Sequence, residues 1–266
     1  MTLYWLYDLP SWLFALIVIS VFVSFGLAGL WLTRGWVRQI HGVDHSHNDI
    51  VGYFLAALTV FYGITLGLVA VGTWGTFSAA SDKVDAEAQI VASLYRDVAS
   101  YPDPLRSALR HDLAGYLENV ITVSWPLQRR GVVPIQSGRY LDAFQAHLMG
   151  FDPGSRTAEL LQAEVLKQFN QLIEVRHARL NAVSAGLPMP IWALVILGGL
   201  LCITTTWFFD TRSYRMHRWM TAQTCGLLGL LVFMIGILDN PFRGKVSVGS
   251  EPLDLVYRQL VQGRSR

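Results

Sequence analysis

Residues 50–81 read IVGYFLAALTVFYGITLGLVAVGTWGTFSAAS and contain no Asp, Glu, Lys or Arg. A helix needs about 20 mostly apolar residues to cross the roughly 30 Å of hydrocarbon in a bilayer. This run is longer than that, and a spanning segment has to satisfy its own backbone hydrogen bonds. The run also lacks the alternation of a barrel strand. It therefore predicts a transmembrane helix.

Three further runs without these four residue types occupy residues 9–33, 180–209 and 219–238. The chain is 52% hydrophobic and only 15% charged, whereas soluble domains are typically about a quarter charged. Tryptophans, which favour the headgroup region, lie near the ends of the runs at Trp12, Trp31, Trp74, Trp192, Trp207 and Trp219. We therefore predict an all-α membrane protein with four transmembrane helices.

Small residues recur inside these runs. They are Gly26, Gly29, Gly63, Gly67, Gly198, Gly199, Gly226 and Gly229. In a membrane, small residues let helices approach closely where the hydrophobic effect cannot drive their association. We interpret these glycines as packing positions, and Cys202 and Cys225 as small buried hydrophobic residues.

The charged residues are concentrated in the middle of the chain. More than half of the Asp, Glu, Lys and Arg residues lie between Asp82 and Arg179. This distribution predicts a water-soluble insert between the second and third spans. The second helix should continue beyond the membrane to Tyr101, because apolar residues keep helical spacing as far as Val98 and Pro102 follows.

Two further helices are predicted inside the insert. The first has a face of Leu113, Tyr116, Leu117, Val120, Ile121 and Ser124, and should end at Pro126. The second runs from Thr157 towards Ala185, with a buried stripe of Leu161, Val165, Phe169, Leu172 and Ile173. Turn signals around residues 131–138 and 152–154 separate the two helices.

These boundaries divide the chain into five segments. They are the first span with a polar hairpin (1–49), the second span with its extension (50–101), the extramembrane helical insert (102–186), the third and fourth spans (187–240), and a C-terminal tail with a short amphipathic segment (241–266). Arginines in both short loops would place those loops in the cytoplasm by the positive-inside rule. Basic residues also flank the opposite ends of the spans, so sidedness stays open.

Composition also bounds the function. The net charge is only +2, so no broad basic surface is available to bind nucleic acid. The chain has no G-x-S-x-G elbow, no glycine-rich phosphate loop and no H-E-x-x-H sequence. We predict neither an enzyme nor a bound cofactor.

A histidine-rich segment lies between the first two spans. His41, His45 and His47 stand close to Asp44 and Asp49, and these are residue types that bind zinc and similar metals. Their spacing matches no defined site. A polar hairpin is the favoured interpretation, and metal binding is the alternative.

A polar cluster is expected just beyond the second span. It includes Glu87, Tyr95 and Arg96, with Asp97 beside them. An ion pair or a helix cap is favoured over a catalytic role.

The end of the fourth span carries a specific turn. Asp239, Asn240, Pro241 and Phe242 follow its last apolar residue. Pro241 should end the helix, and the Asp239 carboxylate is expected to pair with an arginine, either Arg243 or one from the insert.

This turn, continued by Arg243 and Gly244, resembles the Asn-Pro-Phe-Gly turn after the last membrane helix of bestrophins. Residues 85–88 together with 94–96 resemble the pattern of bacterial bestrophin-like membrane proteins, and so do residues 187–192. The resemblance implies a homopentameric anion channel whose second helix lines a central pore. Matching the family's Leu-Gly pair to Leu66 and Gly67 places Val60, Ile64 and Leu68 in the pore constriction.

The spacing suits that role, because residues i, i+4 and i+8 share one helical stripe and a ring of such residues could gate by dewetting. The alternative is a stripe packed against another helix.

Calcium-responsive bestrophins follow the turn with an acidic run. Here Arg243, Gly244, Lys245 and Val246 follow, so calcium gating of that kind should be absent. Bestrophins keep the insert in the cytoplasm, opposite to what the short-loop arginines suggest.

We therefore predict a homo-oligomeric anion channel, a multi-pass protein of the bacterial inner membrane whose partners are lipid, inorganic ions and further copies of itself. The alternative is a membrane-anchored sensor or scaffold whose insert binds a partner. A ring with pore-facing second helices would favour the channel, and a sealed monomer or dimer would favour the scaffold.

Overall fold

A computed structural model describes residues 4–40, 46–134, 138–211 and 213–262. Within these ranges the chain is helical and contains no strand. The helices are α1 (Ser11–Ile40), α2 (Ser46–Asp97), α3 (Leu105–Asn119), α4 (Trp125–Arg129), α5 (Gly138–Met149), α6 (Arg156–Ala182), α7 (Met189–Thr206), α8 (Tyr214–Leu238) and α9 (Glu251–Gln262). The predicted all-α fold class is confirmed.

Four helices are long and apolar enough to cross a membrane. These segments are Ser11–Val37, His47–Ser100, Met189–Thr206 and Tyr214–Leu238. The predicted count of four spans is confirmed. Helix α2 continues to Asp97, and a single 3₁₀ turn then carries the chain to Ser100, close to the predicted end at Tyr101.

The chain forms two compact units. The first contains residues 1–75, 186–239 and 244–246, and the second contains residues 76–185, 240–243 and 247–266. These divisions differ from the predicted segments, because α2 changes unit within the helix and most of the C-terminal tail joins the insert.

Glycines allow close helix packing in the first unit. The space beside Gly26 is filled by the Sγ atom of Cys225, and the space beside Gly29 by the indole of Trp207. The Trp207 indole N–H donates to the Gly26 carbonyl at 3.0 Å. Larger residues at these positions would separate α1 from its neighbours, which supports the interpretation of Gly26 and Gly29 as packing positions.

The second unit has an apolar core built from the second half of α2, from α3, α5 and α6, and from the tail helix α9. Its buried members include Leu94, Leu113, Phe144, Phe169 and Leu253. The Phe144 and Phe169 rings stack with their centroids 5.3 Å apart. Burial of this apolar surface is the main contribution that stabilises the unit.

Two features of the insert differ from the sequence prediction. Helix α5 was not predicted, although Leu141, Phe144 and Leu148 give it a buried face. The helix predicted to stop at Pro126 continues to Arg129. A π-helical turn at Val120–Ser124 precedes α4 and leaves Pro126 in the first turn of that helix, where a missing N–H is tolerated.

Candidate pore helix and the turn after the last span

The first half of α2 packs against its own protomer along a single narrow seam. Tyr62, Leu66 and Thr73 are buried. The Tyr62 hydroxyl donates to the Val195 carbonyl on α7 at 2.5 Å. Its ring fills the space beside Gly198 and Gly199, which supports the prediction that these two glycines are packing positions.

The predicted constriction residues lie on the opposite side of α2 from this seam. Successive residues of an α-helix are rotated by about 100°, so Tyr62 and Leu66 each point about 160° away from Ile64 and Thr73 points about 180° away. Val60, Ile64 and Leu68 are 60%, 59% and 71% exposed in the protomer. They therefore form a stripe that points away from the core of the first unit.

Most of the apolar surface of α2 is left open by the protomer. In the most apolar 18-residue stretch of α2 only 11% of the residues are buried. The corresponding stretches of α1, α7 and α8 are 28%, 33% and 39% buried. Gly63 and Gly67, beside the stripe, have nothing within 4 Å of the position that a Cβ would occupy. Unlike Gly26 and Gly29, these two glycines have no packing role within the described part of the protomer.

Asp239 stabilises the turn between the insert and the third span. Its Oδ1 accepts the backbone N–H of Leu187 at 2.5 Å, and its Oδ2 accepts the indole N–H of Trp192 at 3.2 Å. Burial raises the pKa of Asp239, and these two hydrogen bonds oppose that rise. The carboxylate thus holds the start of α7 beside the end of α8. Its pairing with an arginine stays a prediction.

The rest of the turn belongs to the second unit. Phe242 is buried and contacts Trp125 edge to face, with the ring centroids 5.7 Å apart. The Pro241 carbonyl accepts the Val248 N–H at 2.8 Å. The Arg243 guanidinium donates to the Arg130 carbonyl at 3.0 Å. Asn240 lies between Asp239, which contacts α7, and the anchored residues Pro241, Phe242 and Arg243.

A buried polar network lies next to Trp125. The Nε and Nη2 atoms of Arg179 on α6 donate to the Glu87 carboxylate on α2 at 2.6 and 3.1 Å, and its Nη1 donates to Gln128 Oε1 at 2.8 Å. The Tyr116 hydroxyl donates to the same carboxylate. The Arg179 guanidinium also lies over the Trp125 ring, 5.4 Å from its centroid. One buried cation thus joins four elements of the insert.

The charge state of this network follows from its contacts. Burial alone would lower the pKa of Arg179, but the adjacent Glu87 carboxylate holds that pKa above its ordinary value. Burial, aided by the same carboxylate, raises the pKa of Tyr116. Arg179 is therefore a cation and Tyr116 a neutral donor across the physiological pH range.

The predicted polar cluster of Glu87, Tyr95 and Arg96 is not brought together. Eight residues of α-helix separate Glu87 from Tyr95, which corresponds to about 12 Å along the axis. Tyr95 instead lies under the Arg110 guanidinium at 4.7 Å, and Arg96 is exposed. Glu87 finds its partners on other helices. Arg179 was not predicted as a site residue, although it continues the spacing of Val165, Phe169 and Leu172 along the buried stripe.

Of the three histidines considered as metal ligands, only His47 falls inside the described residues, and His41 and His45 lie outside them. The His47 Nε2 lies 2.9 Å from the Phe208 carbonyl. Within the described ranges, no group of three or more His, Cys, Asp or Glu side chains could hold a metal ion.

Four spanning helices and a helical insert define a multi-pass α-helical membrane protein in which the second span is the one least covered by its own protomer. A sequence model of the Bestrophin-like domain matches residues 20–253. The chain therefore belongs to the Bestrophin-like family. No curated protein matches it.

Solved structures share this fold. Two point-mutant crystal structures of a bacterial bestrophin homologue from Klebsiella pneumoniae superpose with TM-scores of 0.70 and 0.71 at 12% and 11% sequence identity. In each case the match covers 95% of this chain and 99% of the other. A third crystal structure, of a mutant membrane protein, has a TM-score of 0.71 at 12% identity and covers 92% of this chain and 96% of the other. The likeness establishes the fold.

Proposed function

We propose that the chain is the subunit of a homo-oligomeric ion channel that passes anions, with α2 lining the pore. Membership of the Bestrophin-like family supports a channel at the level of the family. The observation that carries the proposal for this chain is the position of Val60, Ile64 and Leu68. They lie opposite the packed seam of α2 and remain more than half exposed in the protomer.

A pore between subunits explains why α2 is left so open. Four helices packed around their own core leave no room for an aqueous path, so conduction requires several copies around an axis. Copies of α2 around that axis would present three successive apolar rings, and such rings pass ions only when water fills them. The family resemblance makes a pentamer the expected assembly.

The glycines of α2 support an arrangement in which neighbouring copies of this helix lie close together. A helix that faces only lipid gains nothing from a glycine, which lowers helix stability by about 1 kcal/mol relative to alanine. Gly63 and Gly67 have open space beside them in the protomer. They suit a close contact with another subunit.

Planar-bilayer recordings of the purified protein under a chloride gradient test the proposal. We expect single-channel currents, and a reversal potential displaced towards the chloride equilibrium potential. Ile64→Ala should raise the conductance or the open probability severalfold, because it widens and wets an apolar ring. Leu201→Ala is the matched control, since Leu201 on α7 is similarly exposed, at 58%. The same gain in both variants, or no current in any of them, would contradict the proposal.

The membrane of residence is part of the same proposal. Four apolar spanning helices fit a cytoplasmic (inner) membrane, where helical rather than barrel proteins reside. Fractionation of a bacterial host that expresses the chain should find it with inner-membrane markers. A sealed monomer or dimer in images of the purified particle would instead support the membrane-anchored scaffold.

A further inference from the structure

A basic pocket lies between α1 and α8 in the first unit, away from the proposed pore stripe. Its volume is about 310 Å³, and its walls are Leu27, Arg215, Arg218, Trp219 and Ala222. Arg215 and Arg218 are exposed at the start of α8. The pocket therefore combines two accessible cations with an apolar wall.

The pocket is polar at one end and apolar at the other. Arg215, Arg218 and Ala222 have i, i+3 and i+7 spacing, so they share one face of α8 over about 10 Å. The arginines stand nearer the start of the helix, and Ala222 stands deeper, across from Leu27 on α1. Trp219, 69% exposed, lies between them as an aromatic residue of the type that marks the headgroup level.

Within the described residues, three arginines stand near this end without a carboxylate in ion-pair range. The Arg34 and Arg218 guanidinium groups both lie near the Tyr214 ring, 4.1 and 5.6 Å from its centroid. In the part of the chain that the structure describes, no carboxylate lies within 4 Å of Arg34, Arg215 or Arg218. Unpaired cations at the membrane surface attract anionic ligands.

We propose that this pocket binds the phosphate of an anionic glycerophospholipid. Arginine is suited to phosphate because its planar fork makes two parallel hydrogen bonds. Trp219 sits where the glycerol and ester region would lie, and Leu27 and Ala222 offer an apolar surface to the first part of an acyl chain. A free inorganic anion would use the arginines but leave the apolar wall empty, so the lipid fits the whole pocket.

Native mass spectrometry of the detergent-purified protein tests this site without reference to ion conduction. The probes are phosphatidylglycerol and phosphatidylcholine with identical acyl chains. The wild type should bind phosphatidylglycerol more tightly. Arg215→Gln combined with Arg218→Gln should lower that affinity about 10- to 30-fold, since each basic residue near an anionic lipid contributes roughly 1 kcal/mol. Phosphatidylcholine binding should change little.

The matched control is Arg129→Gln combined with Arg130→Gln, which removes two exposed arginines from the insert. It should retain the preference of the wild type, and circular dichroism should show equal helix content in all three proteins. An equal loss in the control, or an unchanged affinity in the Arg215 and Arg218 variant, would overturn the proposal. Displacement of the lipid by millimolar inorganic phosphate would overturn it in favour of a simple anion site.

Discussion

Glu87 on α2 and Arg179 on α6 form an ion pair in which both side chains are fully buried, with a shortest N–O distance of 2.6 Å. Two charges out of contact with water are costly unless their remaining hydrogen-bonding groups are satisfied. Tyr116 and Gln128 supply such partners. The pair therefore fixes the extension of α2 within the core of the insert.

Removal of one charge should destabilise the insert strongly. Arg179→Met leaves the Glu87 carboxylate buried without its cation, and the free energy of unfolding should fall by about 3–5 kcal/mol. Adding Glu87→Gln should recover part of that loss, because the neutral amide oxygen can still accept the Tyr116 hydroxyl. Denaturant titration in detergent, followed by circular dichroism, measures both effects.

Arg156→Met is the control for this pair, because the Arg156–Glu159 ion pair is mostly exposed. Exposed pairs contribute roughly 0–1 kcal/mol, so the control should stay within that range. A fully stable Arg179→Met protein would show that the buried pair has no structural role.

Tyr101 should make the insert less stable at alkaline pH. Its side chain is buried, and in the described residues its hydroxyl has no hydrogen-bond partner. Burial raises the pKa of Tyr101 from 10.0 to about 12. The folded state thus holds the proton more tightly than the unfolded state. This contribution to stability is complete below pH 10 and is lost as the pH rises towards 12.

Tyr101→Phe should remove that part of the alkaline slope and raise stability at neutral pH by about 1 kcal/mol, since it deletes an unsatisfied buried hydroxyl. Chemical denaturation of both proteins at pH 8, 10 and 11.5 measures the difference. The same pH slope in the variant and the wild type would refute the assignment.

In the proposed channel, Asp82 should reduce the preference for anions over cations. Its sequence position follows Ile64 by 18 residues, a spacing of five helical turns. The residue is exposed. If the proposed pore continues along α2, a ring of such carboxylates would repel anions. Asp82→Asn should raise the chloride-to-sodium permeability ratio severalfold, as determined from reversal potentials, whereas Glu118→Gln, an exposed change on α3, should not. A lower ratio in Asp82→Asn would contradict this placement.

The two kinds of glycine in the spans should respond differently to a larger side chain. A Cβ at position 67 has nothing within 4 Å in the described part of the protomer, so in Gly67→Leu the helical content should persist while the oligomer weakens. Gly29→Leu would collide with the Trp207 ring and should reduce the yield of folded protomer. Native mass spectrometry gives the subunit number, and circular dichroism gives the fold. An intact oligomer of Gly67→Leu would argue against α2 contacts between subunits.

The membrane part of the fold was predictable because a charge-free run such as 50–81 has few structural alternatives in a chain that must satisfy its backbone hydrogen bonds. The insert was harder to predict. Helix α5 has only three buried apolar residues and follows strong turn signals, and the π-helical turn before Pro126 depends on tertiary packing that a local pattern does not encode.

The ion pair between Glu87 and Arg179 could not be predicted from local sequence patterns. Glu87 and Arg179 are 92 residues apart, so their pairing depends on how α2 and α6 fold together. Each nevertheless continues an apolar stripe on its own helix, and a charge on a buried stripe indicates a partner elsewhere. The helical spacing of Val60, Ile64 and Leu68 predicted that they share one stripe. The structure shows that this stripe points away from the core of the first unit. Their place in a pore remains a prediction.

Modification of Ile64→Cys during current recording tests the pore assignment most directly. Cys202 and Cys225 are both buried, so an aqueous, membrane-impermeant methanethiosulfonate reagent should react at the introduced thiol alone. We predict that the reagent changes the current through Ile64→Cys channels by more than half and leaves wild-type and Leu201→Cys currents unchanged. Currents from Ile64→Cys that stay constant during complete labelling of the thiol would contradict the account.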